Sequence, residues 1–67
     1  MESIIVRRQD GEDASQVAKR AAEENNTSLE GNLRWYGAMG AAYREIGTAD
    51  GRTIRIVEPD SLDPRAV

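Results

Sequence analysis

The sequence predicts a mainly α fold of order β-α-α, closed by an additional short C-terminal strand and a loose tail. Three observations lead there. A β-branched run, SIIVRR at residues 3–8, is bounded by Gln9-Asp10-Gly11 and reads as a strand. Small apolar residues then recur at helical spacing from Ala14. Finally Leu29, Leu33, Tyr36, Gly40 and Tyr43 step by alternate fours and threes, the seam of a packed helix.

Each element has its own grounds. Asp13 is a fair N-cap, and Glu12 and Asp13 lie favourably at the positive end of a helix dipole. Ala14, Val17, Ala18, Ala21 and Ala22 form the buried stripe, with Gln16, Lys19, Arg20, Glu23 and Glu24 facing water. Asn25-Asn26 ends that helix, since asparagine tolerates the left-handed cap conformation. Thr27 with Glu30 has the form of a capping box, so a second helix is expected over residues 28–46 with Gly47 at its C′ position. Trp35, Met39, Ala42 and Ile46 make a second stripe on it. Gly37 and Gly40 inside it imply a close helix crossing, because each costs about 1 kcal/mol relative to alanine. A strand reading of residues 33–43 also alternates, but places alanine and glycine at most of its core positions. Residues 48–51 read as a turn and 52–58 as a strand ended by Pro59, with 60–67 as tail. The chain divides accordingly into a β-α-α unit over 1–47 and a strand-and-tail segment over 48–67.

Composition narrows the function classes. Sixty-seven residues bury only a small core, and no cysteine or histidine is present to supply a disulfide or a zinc site. A homodimer is therefore expected as the source of further stability. No metal, cofactor or catalytic residue is expected, and an enzyme is disfavoured without histidine or cysteine. Asp10-Gly11-Glu12-Asp13 lacks the ligand spacing of a calcium loop. No run of about 18 apolar residues suits a membrane, and MESIIVRR is too short and acidic for a signal peptide, so a cytoplasmic location is expected.

The order strand, helix, tight turn, helix resembles the ribbon-helix-helix DNA-binding family, most closely its Arc repressor branch. Ala22-Glu23-Glu24-Asn25, Ser28-Leu29, Leu33 and Tyr43 carry the resemblance over residues 3–46. It implies an intertwined dimer whose N-terminal strands form one antiparallel ribbon in the major groove of double-stranded DNA. It implies base contact by Arg7 and Gln9 with Ile5 on the same side, or by Arg8 if the register slips by one residue. Asn26, Thr27 and Ser28 become the phosphate contacts. Ile4, Val6, Val17, Ala21, Leu29, Leu33, Tyr36, Gly40 and Tyr43 become the dimer core. The expected function is a sequence-specific transcriptional repressor, or the autorepressing antitoxin of a toxin-antitoxin pair with residues 52–58 on the toxin.

The charge balance runs the other way. Residues 1–47 carry six basic and eight acidic side chains, and Glu30 would repel a phosphate at the second helix. The rival expectation is a small acidic protein-binding module or inhibitor, an antitoxin or a phage-encoded, anti-CRISPR-like protein, without DNA binding. A minor alternative is KH-like RNA binding through Gly37-Ala38-Met39-Gly40, whose Ala-Met centre lacks the usual basic character.

Overall fold

A computed structural model describes residues 3–38 and 40–61. Strand β1 (Ser3–Arg7) leads into helix α1 (Ala14–Glu24), followed by β2 (Leu29–Ala38), β3 (Ala41–Thr48) and β4 (Thr53–Val57). The four strands form one mixed sheet of order β1-β4-β3-β2. β1 runs parallel to β4, while β4–β3 and β3–β2 are antiparallel. The helix lies on one face, chiefly against β4.

The mainly α, ribbon-helix-helix expectation is therefore corrected. β1 does not await a second copy to pair with; its register with β4 runs from Ser3 opposite Thr53 to Arg7 opposite Val57. The expected second helix is a β-hairpin, in which Tyr36 lies opposite Tyr43 and Gly37 opposite Ala42. Gly40 sits in its turn with φ of +84°, a left-handed conformation that favours glycine and that no α-helix interior contains. Gly47 is not a helix cap but a strand residue opposite Glu30. Met39 and residues 62–67, the expected stripe member and most of the expected tail, lie outside the described residues.

The first helix forms where the sequence places it. Asp13 accepts a hydrogen bond from Ser15 N at 2.8 Å, satisfying one free N–H of the first turn. At the other end Asn26 is left-handed at φ +56°, and Thr27 N reaches back to Ala22 O at 3.0 Å. Thr27 thus closes the first helix rather than opening a second. The capping-box pattern points into a strand.

The core lies between helix and sheet within a single chain. Val17, Ala18, Ala21 and Ala22 meet Ile46, Ile54 and Ile56, with Ile4, Val6, Leu29 and Leu33 packed at the margin. Ile54 and Ile56 are wholly buried. The alternation expected along β1, with Ile4 and Val6 inward, is present, but these side chains face their own helix. β4 is a central strand with both edges occupied, so residues 53–57 have no edge left to add to a partner's sheet. A three-residue turn joins β3 to it: Thr48 N donates to Arg52 O at 2.9 Å, and Gly51 supplies the left-handed position at φ +88°.

Candidate interaction surface

Side chains alternate across the strands, so the residues between the core positions project from the face opposite the helix. Tyr36 on β2, Tyr43 on β3 and Val57 on β4 are cross-strand neighbours there, with Arg7 on β1 completing the row. The next row is Arg34, Glu45, Arg55 and Ile5. Val57 is nevertheless buried, at the end of the face where Arg7 holds residues 58–61, while Tyr36 and Arg34 stay exposed toward β2.

Its polar and aromatic groups are already ordered by one another. The Tyr36 and Tyr43 rings stack with centroids 5.6 Å apart and planes 16° from parallel. The Arg55 guanidinium lies 4.8 Å from the centroid of Tyr43, within cation–π range. The same guanidinium is held by Glu45, Nε to Oε2 at 2.8 Å. Tyr43 is thereby enclosed between a tyrosine and an arginine, and Tyr36 ends the stack, exposed at the β2 edge.

Around that edge, on the helix side, Trp35 is the most exposed large apolar side chain, at 57%. The Arg44 guanidinium sits 4.9 Å from its ring. Arg44 is also one of two arginines on Glu58: Nη1 donates to Oε1 at 3.0 Å, while Arg8 Nε donates to Oε2 at 2.6 Å. The Arg8 hydrogen bond, and then that of Arg44, holds the Glu58 carboxyl below the ordinary carboxylate range.

The residues expected to contact DNA bases are engaged within the chain. Arg7 Nη1 donates to the carbonyls of Glu58, Pro59 and Ser61 at 2.8, 3.1 and 2.9 Å, pinning the turn after β4. Arg8 also donates to Glu12 O at 2.8 Å. Gln9 lies beyond β1 in the turn to the helix, where its N–H donates to Glu12 Oε1. Ile5 is half-buried on the outer face. No antiparallel ribbon presents these residues.

Asn26, Thr27 and Ser28 do come together, lining a shallow hollow with Ala49 and Asp50. Asp50 is an adverse neighbour for a phosphate. Arg52 above all, with Thr48, holds its carboxyl well below the usual range and so keeps it charged. Of the expected dimer core, Ile4, Val6, Val17, Ala21, Leu29 and Leu33 belong to the intrachain core. Tyr36 and Tyr43 stand on the outer face, and Gly40 is in the turn.

Arg34, Trp35, Arg44 and Arg55 were not singled out by the sequence as binding residues. The signal for Trp35 and Arg44 is that they pair next to the two tyrosines once a hairpin, rather than a helix, is read, with Arg34 opposite Glu45 one pair further on; Arg55 comes from β4. Among the described residues no group of three acidic, histidine or cysteine side chains converges to hold a metal ion, and no helix is long and apolar enough to cross a membrane. Comparison of the chain with protein-family models, curated proteins and solved structures finds no match.

Proposed function

We propose that the chain is a small acidic protein-binding module that engages its partner through the outer face of the sheet. The observation that carries this reading is the stacked row Arg55–Tyr43–Tyr36 on the sheet face opposite the helix, ending in the exposed Tyr36. Tyrosine, tryptophan and arginine supply most of the energy in protein interfaces. Here the tyrosines are fixed against one another before binding, which lowers the entropy cost of docking.

Charge indicates the kind of partner. The helix layer carries Asp10, Glu12, Asp13, Glu23 and Glu24 against Lys19 and Arg20. The outer face carries Arg7, Arg34 and Arg55 against Glu30 and Glu45. A complementary surface is apolar at its centre and edged by carboxylates. Single-stranded nucleic acid also stacks on aromatic side chains. Tyr43 is enclosed on both ring faces, however, leaving at most one open tyrosine face for a base, and the chain is acidic overall with a net charge of −3. The protein partner is favoured.

Selection of short random displayed peptides on the immobilised protein tests this. Enriched peptides should carry Asp or Glu beside apolar residues and lose at least tenfold in affinity to Tyr36→Ala or Arg34→Ala. Gln16→Ala, on the exposed helix face, should leave them unchanged. Enrichment that is indifferent to Tyr36 and Arg34, or tighter binding of labelled single-stranded oligonucleotides to the same face, would refute the reading.

A further inference from the structure

β2 has a neighbour on one side only; its other edge is an edge of the sheet. Trp35 and Tyr36 are adjacent on this strand, exposed by 57% and 39%. Successive strand residues project to opposite faces, so a partner lying on one face covers only one of these aromatics. An added strand carries side chains to both faces and covers both. We propose that this strand is β2 of a second copy, paired antiparallel about Tyr36 to give an eight-stranded sheet.

The pattern of β2 selects both the occupant and the register. A two-fold axis perpendicular to the sheet keeps both helices on one side, so each side chain meets a partner side chain of the same face. Pairing about Tyr36 places Trp35 opposite the partner's Gly37, the widest residue beside the one without a side chain. Pairing about Arg34 sets two guanidiniums directly opposite, which is unfavourable. Pairing about Trp35 opposes the two indoles and draws Leu33 into the ladder, where β2 departs from the register of β3 between Glu30 and Arg34. Pairing about Asn32 puts that irregular segment of both copies, with Gly31 at φ +92°, at the centre of the ladder.

Two further observations favour a second copy over another occupant. The largest fully buried side chains are only Ile54, Ile56, Val17 and Val57, and a chain of this size gains from burying more. The stack Arg55–Tyr43–Tyr36 ends at the β2 edge, and the two-fold axis extends it into the partner's Tyr36, Tyr43 and Arg55 in reverse order. The inference does not rest on the peptide-binding reading, and failure of the peptide selection leaves it standing.

The chain has no cysteine, so introduced thiols report directly on the interface. Opposed residues in antiparallel strands have Cα atoms about 4.5–5.5 Å apart, inside the range of about 4.4–6.8 Å that a disulfide spans. Sedimentation equilibrium of the wild type at high micromolar concentration should give twice the chain mass. Trp35→Lys should weaken association at least tenfold with an unchanged circular dichroism spectrum. Oxidised Tyr36→Cys should form a covalent dimer, whereas Ser3→Cys, on the opposite edge strand, should not. A monomer at every concentration would overturn the proposal. So would a dimer that survives Trp35→Lys, or one that cross-links through Ser3→Cys and not through Tyr36→Cys.

Discussion

Substituting alanine for Gly40 separates the hairpin from a helix by the sign of its effect. In a helix interior the change stabilises, by about 1 kcal/mol. In the structure Gly40 has φ +84°, where an L-residue with a Cβ is strained by about 1–2 kcal/mol. Restricting the unfolded chain returns about 0.4–1 kcal/mol of that. The net expectation is a loss near 1 kcal/mol, which for a domain of this size lowers the melting temperature by about 4–8 °C. Gly51 calibrates this backbone balance: its φ is +88° and nothing lies within 4 Å of an added Cβ, so Gly51→Ala measures strain less the unfolded-chain gain, without a packing contribution. D-alanine at position 40, introduced by chemical synthesis, should instead raise the melting temperature, because the left-handed region is its preferred one. Thermal unfolding at one fixed protein concentration reads all three proteins. An increase on Gly40→Ala, or a decrease with D-alanine, would refute the turn.

Two other perturbations test the core and the carboxylate cluster. Ile56→Ala removes a wholly buried side chain from the central strand and should cost about 2–5 kcal/mol, against a total stability of roughly 3–10 kcal/mol for a chain of 67 residues. Ile5→Ala, on the outer face, should cost clearly less; urea midpoints at unchanged slope decide, and equal losses would place the helix on the wrong face. Glu58 has a depressed folded pKa, so its contribution is present above the unfolded value of about 4.3 and is lost as pH falls through the lower folded value. Melting temperature should therefore drop as pH falls below about 5, with a shallower slope in Glu58→Gln and the remainder from Glu12 and Asp50, whose carboxyls are also depressed. Parallel curves for the two proteins would exclude Glu58 as a source.

The elements that the sequence identifies are those whose pattern is local. Ile4 and Val6 alternate, Val17, Ala18, Ala21 and Ala22 recur at helical spacing, and residues 53–57 alternate between flanking turns. The hairpin was missed because its pairing imitates a heptad. Tyr36 lies opposite Tyr43 and Arg34 opposite Glu45, all pairs folding about a turn at Gly40. Tyr36 and Tyr43 are then seven residues apart, the repeat of a helical seam, and Leu29, Leu33 and Gly40 extend the coincidence. Two facts pointed to the strands: Trp35 and Tyr36 favour pleated structure, and Gly40 is disfavoured in a helix. The parallel pairing of β1 with β4 was not legible at all. It joins Ser3 to Thr53, fifty positions along the chain, and nothing in either segment names the other.

The same correction changes what the arginines are for. In a ribbon Arg7 or Arg8 would face a base; in the sheet Arg7 closes the turn after β4 and Arg8 anchors Glu58. Arg44 shares Glu58, Arg55 holds Glu45, and Arg52 pairs with Asp50 while donating to Asn25 O at the end of the helix. A guanidinium already held by a carboxylate or carbonyls gives up those bonds before it can recognise anything else, and that loss offsets the new contact. Arg34 differs: it is exposed and makes no ion pair among the described residues, although Glu45 lies opposite it, because Arg55 occupies that carboxylate. Its chain neighbours are the exposed Trp35 and Tyr36. Recognition groups with the fewest competing bonds within the fold are thus consecutive on one edge strand, so substitutions at residues 34–36 should affect binding more than stability, and those at Arg8, Glu58 or Arg52 the reverse.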